Sequence, residues 1–166
     1  MLQVSLDTSF LISFADPTRP GHTAAVDYFR HCLQQQIPMW ISVVAAGEFE
    51  VGQPITDLPL QNFRIQPYNL PHAIRAASLF KVLRGTTAQE EGRKIVMNDL
   101  KIIAQAAEDE IGIVLTEDEN TLARLAARLR TAGSIQTEVV LLKDGFSARR
   151  LGDPRQMPLS LNPDEA

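Results

Sequence analysis

"LQVSLDTSFLISFA", residues 2–15, passes from strand to helix without a loop. "LQVSL" is a short apolar run with β-branched Val4, and "DTSFLISFA" follows at once with helical character. A second stretch repeats the pattern. "GIVLT" (112–116) has a β-branched core and leads through "TEDE" into "ENTLARLAARLR", where Leu122, Leu125, Ala126 and Leu129 share one side. Neither strand alternates apolar with polar residues, so both are expected to be buried on both faces. That is the mark of a mostly parallel sheet sandwiched between helices.

Working outward, strands and helices alternate. "GHTAAVDYFRHCLQQQ" (21–36) has helical spacing, with Ala24, Tyr28 and Cys32 in one row. "PMWI" (38–41) is a strand, and "SVVAAGEFEV" (42–51) a short helix with Ser42 as its N-cap. A Pro-rich connector (52–62) leads to the strand "FRIQPY" (63–68) and a helix over 71–84, with Pro71 near its start. "GTTAQEEG" (85–92) is a polar loop, and "TEVVLL" (137–142) the last strand. The pattern predicts one domain over 1–146, an α/β fold built as a three-layer α/β/α sandwich. The stretch 147–166, with Pro154, Pro158 and Pro163 and no period, is predicted to be an extended or disordered tail.

The 166 residues are 45% hydrophobic and 22% charged, the balance of a soluble domain with a sizeable core. No window approaches 18 consecutive apolar residues, so no membrane span is expected. The N-terminus lacks a basic region and meets Asp7 early, unlike a signal peptide. One cysteine, Cys32, excludes an internal disulfide and a cysteine-held zinc; a reduced, cytoplasmic setting is expected. His22, His31 and His72 are scattered and form no metal-ligand pattern. The net charge of −4 argues against a nucleic-acid partner only if the acids are spread over the surface. Four of them holding two divalent cations would bring the sum to zero.

Four acids do stand apart. In "GRKIVMNDLKIIAQAAEDE" (92–110), Ile95, Val96, Leu100, Ile102, Ile103, Ala106 and Ala107 share one helical arc. Lys94, Lys101, Gln105 and Glu108 fall on the other side. Asp99 lies within the apolar arc. Glu48 projects among Ile41, Val44, Ala45 and Val51, whereas Glu50 is on the polar side. Asp7 directly follows the first strand, and Asp118 follows Thr116 by two residues. Each has a local explanation. Asp7 and Asp118 are candidate helix caps, Thr116 and Glu119 fit a capping box, and Glu48 or Asp99 would suit a buried Arg such as Arg75. One shared cause accounts for all four. Ligands of open parallel sheets bind at the carboxyl ends of the strands. Clustered carboxylates without His or Cys suit a hard cation such as Mg²⁺ or Mn²⁺, and one or two such ions support phosphoryl chemistry.

Strand–Asp7-Thr8-Ser9, the inward Glu48, "MND" ending in Asp99 and "LTED" ending in Asp118 together resemble the PIN-domain nucleases, in particular the VapC-type toxins of toxin–antitoxin pairs. The resemblance covers about residues 2–142, and "NDLKIIAQAAEDEIGIVLTEDENTLARLA" is its most specific part. It implies a Mg²⁺- or Mn²⁺-dependent endoribonuclease in which Asp7, Glu48, Asp99 and Asp118 form the acidic quartet. Thr8, Ser9 and Thr116 would support it. It further implies RNA as substrate, an antitoxin protein as partner and a homodimer. Two departures stand out: Ser9 takes a place where the family often has Asn, and the short segment 53–62 stands where toxins often carry a helical pair used for dimerisation and antitoxin binding.

Candidate RNA contacts are Arg84, Arg93, Lys94 and Lys101 around the Asp99 helix, with Arg124, Arg128 and Arg130 on the next. Trp40 and Phe63 are candidate base-stacking side chains, with core packing as the alternative. A haloacid-dehalogenase-like phosphatase would need a second Asp where Ser9 stands, and a receiver domain would need different spacing. The remaining alternative is a non-catalytic PIN-fold module that binds RNA or protein.

Overall fold

A computed structural model describes residues 1–83 and 93–152, for 93–96 the backbone only. Five parallel strands form one sheet in the order β3-β2-β1-β4-β5. They are β1 (Val4–Leu6), β2 (Met39–Ser42), β3 (Arg64–Gln66), β4 (Ile113–Thr116) and β5 (Glu138–Leu141). The three central strands are apolar on both faces because both faces are covered. Val4, Leu6, Ile41, Val114 and Leu115 are at most 1% exposed. The expected α/β/α sandwich is the observed architecture.

The helices are α1 (Thr8–Ala15), α2 (His22–Gln34), α3 (Val43–Gly52), α4 (Leu70–Leu83), α5 (Arg93–Glu108) and α6 (Arg124–Thr131). From β1 the chain winds one way, through α1 and α2 to β2 and through α3 to β3. It then returns by α4 and α5 to β4, on the other side of β1, and continues by α6 to β5. Right-handed crossovers therefore put α1–α3 on one face and α4–α6 on the other. The winding reverses between β1 and β4, which opens a crevice beyond their carboxyl ends.

Three strand–helix junctions meet at this end, and each is made by a cap. Asp7 caps α1, its Oδ1 accepting from Phe10 N at 2.8 Å. Ser42 caps α3, its Oγ accepting from Val44 N at 3.0 Å. Asp118 caps a π-helical turn, Glu119–Ala123, that runs into α6. A cap satisfies amide groups that the helix cannot, so the chain turns from strand to helix without an intervening loop.

Three expectations need correction. Gln105, placed on the polar side of its helix by periodicity, is fully buried. It bridges layers instead: Ser42 Oγ donates to its Oε1 at 2.5 Å, and its Nε2 donates to the backbone oxygens of Gln66 and Pro67. Val51, expected beside Glu48 on the inward face, is 89% exposed, because α3 ends at Gly52 and its last turn clears the sheet. The domain also runs past 146. Tyr28 Oη donates to Gly145 O and accepts from Ser147 N, and a 3₁₀ turn over Ala148–Leu151 buries both of its end residues. Residues 153–166 of the expected tail, and the expected loop 85–92, lie outside the described residues. Among the described residues no helix is long and apolar enough to cross a membrane.

Candidate functional site

The crevice between β1 and β4 gathers the four acids. Asp7, 4% exposed, leaves the end of β1. Its Oδ1 accepts from Phe10 N and Ser9 Oγ, and its Oδ2 accepts from Thr116 Oγ1 at 2.8 Å. Ser9 Oγ lies 3.0 Å from Thr116 Oγ1 and accepts from Glu117 N, while Thr116 Oγ1 accepts from Asp118 N at 2.9 Å. A short chain of hydroxyls thus ties the end of β1 to the end of β4. All three supporting residues named from sequence make such contacts, because Thr8 Oγ1 donates to Glu48 Oε2.

Asp99 and Glu48 come from the helices. Glu48 Oε1 accepts from Asn98 Nδ2 at 2.7 Å, which joins α3 to the residue before Asp99. Glu48 does not meet Arg75. That guanidinium donates to Ser134 O at 2.8 Å, beside Gly112 and Thr137 and so at the opposite end of the sheet. Asp99 is partly buried, and its Oδ2 has no hydrogen-bond partner. Burial pushes its carboxyl up to about 7, the Thr121 hydroxyl opposes the rise, and the charges of Asp118, Asp7 and Glu48 add to it. Burial likewise pushes Asp7 up to about 6, against the hydrogen bonds from Phe10, Thr116 and Ser9. Asp99 therefore feels all three other acids, and Asp7 feels Asp118.

Asp118 is the most fully occupied. Its Oδ1 accepts from Asn120 N and Thr121 N at 3.0 and 2.9 Å, and its Oδ2 from Leu122 N and the Thr121 hydroxyl. Asp7 and Asp118 thus act as helix caps, as their local explanation has it, and a capping carboxylate faces the crevice all the same.

The donor set suits a hard divalent cation: carboxylates only, and a buried Asp99 oxygen without a partner. Among the described residues, no three His, Cys, Asp or Glu side chains already stand at ligating distance from a common point. Hydroxyls hold them instead: Thr8 on Glu48, Ser9 and Thr116 on Asp7, Thr121 on Asp118.

Asn98 and Thr121 were not anticipated. Asn98 lies inside the quoted "MND", but only its neighbour breaks the apolar arc. Thr121 stands three residues after a capping Asp, where a sequence shows only an ordinary helix start. Glu117 also belongs to the neighbourhood. Its carboxylate accepts from Ser13 Oγ and pairs with Arg19 at 2.9 Å. Burial raises that carboxyl, and the hydrogen bonds from Ser13 and Arg19 outweigh it and hold it below the usual range.

The RNA-contact candidates fare unevenly. Arg124 and Arg130 are exposed on α6 and Arg128 partly so, while Lys101 lies over the Tyr68 ring at 6.0 Å. The side chains of Arg93 and Lys94, and all of Arg84, lie outside the described residues. Phe63 is a core residue, 8% exposed and packed against Phe14 and Phe29. Trp40 donates to Gln3 Oε1 and carries Arg64 over its ring at 5.4 Å.

No protein-family model matches the chain, and no curated protein matches it in sequence. Solved structures match in three dimensions. A chain of the VapBC2 complex from Rickettsia felis, crystallised on a DNA fragment from its promoter, superposes with a TM-score of 0.56 at 14% identity. The match covers 84% of this chain and 98% of that one. A chain of the DNA-bound VapBC complex from Salmonella typhimurium gives 0.54 at 18%, covering 86% and 99%. VapC20 of Mycobacterium tuberculosis, a toxin that cleaves the sarcin–ricin loop, gives 0.52 at 15%, covering 82% and 99%. At such identities the likeness is one of fold: the chain shares the α/β/α architecture of these structures, matched over nearly their whole length.

Proposed function

We propose that the protein is a metal-dependent endoribonuclease whose acidic quartet, Asp7, Glu48, Asp99 and Asp118, holds one or two Mg²⁺ or Mn²⁺ ions. The observation that carries this reading is Asp99. It is a partly buried carboxylate with an unpartnered oxygen, its pKa raised by burial and then by three neighbouring acids, at the switch point of a parallel sheet. Leaving such a group unsatisfied costs about 1–3 kcal/mol in an ordinary fold, so it needs a reason.

A bound cation would supply a hydroxide at neutral pH and neutralise the charge gathering on a phosphate. The residues do the rest. Asp7 and Asp118 are fixed by backbone N–H groups and present their charge from rigid strand ends. Glu48 is oriented by Thr8 and Asn98. Arg93, Lys94 and Arg124, on α5 and α6, would meet the RNA backbone and bind in a salt-dependent way. An antitoxin partner, supported by the likeness to chains of VapBC complexes, and a homodimer belong to the same reading.

The second reading is a PIN-fold module that binds without cutting, and one observation favours it: among the described residues no three acids stand at ligating distance from a common point. Cleavage of end-labelled single-stranded RNA with Mn²⁺, beside an identically purified Asp99→Asn variant, separates the two. Cutting by the parent alone supports the nuclease. No cutting and no Mn²⁺-linked rise in melting temperature supports the module. Equal cutting by both removes Asp99 from the site.

A further inference from the structure

A cavity of about 330 Å³ opens between the start of α2 and the turn that follows β5. It adjoins the acidic crevice. Glu117 forms part of its wall, and Glu117 N donates to Ser9 Oγ, which in turn bonds Asp7. Gly21 lines the same wall. A Cβ there would stand 3.1 Å from Glu117 Oε1 and 3.2 Å from Leu142 Cδ1, so bare backbone fits best.

Phe146 also lines the cavity. Among the described residues it is the one aromatic side chain that is exposed, at 38%. An exposed ring is ordinarily loose, but this one is pinned from both sides. Gly145 turns the chain with φ +77°. The hydroxyl of the buried Tyr28 then donates to Gly145 O and accepts from Ser147 N, both at 3.3 Å. The Tyr28 ring meets Phe146 at 70°, with centroids 5.0 Å apart. The fold thus holds an apolar ring rigidly at the surface. Phe63 and Trp40, the aromatic residues expected to stack bases, are engaged elsewhere.

Polar groups complete the cavity. Asp27 lines it, and Arg30 stands 3.9 Å away, too far for a hydrogen bond, so the carboxylate can accept from a ligand. Lys143 also lines it, and Arg19 lies just before its wall residues Pro20 and Gly21. These cations suit the phosphates flanking a base. A fixed aromatic, a carboxylate acceptor and nearby cations are the groups that hold an unpaired nucleobase. Guanine is the base whose Watson–Crick edge offers one carboxylate two neighbouring N–H donors.

We propose that this cavity is a nucleobase subsite, in which one unpaired base of the RNA stacks on Phe146 and Asp27 selects guanine. The proposal rests on the reading of RNA as the substrate.

The test is fluorescence anisotropy of the full chain with short uridine-rich RNAs that differ only in one central base. Ca²⁺ replaces Mn²⁺, since it also takes oxygen ligands, and gels check that the RNA stays whole. The parent should bind the guanine RNA about tenfold more tightly than the uridine one. Phe146→Leu keeps an apolar side chain against Tyr28 and should weaken all four RNAs about tenfold. Asp27→Asn should abolish the guanine preference and leave the uridine RNA within about twofold of the parent. Unchanged affinity in Phe146→Leu overturns the subsite and gives the cavity to another class of partner; RNA cleavage by the same protein would still uphold the nuclease reading. Tighter binding of all four RNAs to Asp27→Asn marks Asp27 as mere repulsion and overturns its selecting role. A parent that binds none of the RNAs overturns the subsite and the RNA substrate with it. Melting temperatures check that both variants are folded.

Discussion

Replacing Asp99 by Asn should stabilise the protein in chelator, and by more as the pH rises. In the folded chain burial and the neighbouring carboxylates hold the Asp99 carboxyl at about 7, against 3.8 for the free side chain. A carboxyl whose pKa is raised by folding takes up a proton when the chain folds. Its contribution is intact below the unfolded value and is lost as pH climbs through the folded one. Between pH 5 and pH 7 the parent therefore loses stability that the Asn variant, with no proton to give up, keeps. Two pH units of differential protonation correspond to about 2.7 kcal/mol for a fully buried group. Asp99 is only partly buried, so solvent screening brings this to roughly 1–1.5 kcal/mol. For a domain of this size that widens the gap in melting temperature by about 2–6 °C. The assay is thermal unfolding followed by circular dichroism, in EDTA, for parent and variant at pH 5 and pH 8. Because both proteins carry the same histidines and the same Asp7, only the difference between them is read. A gap that stays constant or narrows with pH would refute the claim that Asp99 faces other acids in a dry crevice.

Other perturbations separate scaffold from site. Gln105→Leu leaves Ser42 Oγ and the Gln66 and Pro67 carbonyls without their partner. It should cost about 1–3 kcal/mol by urea denaturation while leaving RNA cleavage at the parent's level in the folded protein. Asp118→Ala removes acceptors from three backbone amides and should cost about 0.5–2 kcal/mol in chelator. Glu48→Gln, which caps nothing, should change chelated stability far less and still abolish cleavage. Arg124→Gln should weaken RNA binding alike across sequences and lower the slope of log affinity against log salt by about 1. An effect confined to one RNA sequence would instead make Arg124 a base reader.

The sheet was legible because its central strands are short, apolar on both faces and joined to their helices by capping residues. Those are local signals with one dominant period. Asp99 and Glu48 were legible for the opposite reason: each breaks a period. Periodicity misled where a tertiary contact overruled it. Gln105 looks polar on a helical wheel, but it closes hydrogen bonds that only exist once β2, β3 and α5 are assembled. The π-helical turn is hidden for a related reason. An extra residue in a turn changes no residue type, so nothing in "ENTLA" announces that Thr121 swings onto Asp118. Asn98 escaped because its role is visible only when α3 brings Glu48 alongside α5.

The two explanations of the strand-end acids are one geometry seen from two sides. A parallel strand that passes straight into a helix needs a capping side chain at its last residue, and Asp is among the best. The same position lies beyond the carboxyl end of the strand, where the sheet's crevice opens. At the junction of β1 with α1 and of β4 with the turn before α6, a residue chosen for folding is therefore already in place for a ligand. Capping at Asp7 and Asp118 thus carries little weight for or against catalysis. The weight falls on the acids that cap nothing. Glu48 is held by Thr8 and Asn98, and Asp99 keeps one oxygen without any partner. Neither caps a helix, so the proposed metal site stands or falls on Glu48 and Asp99.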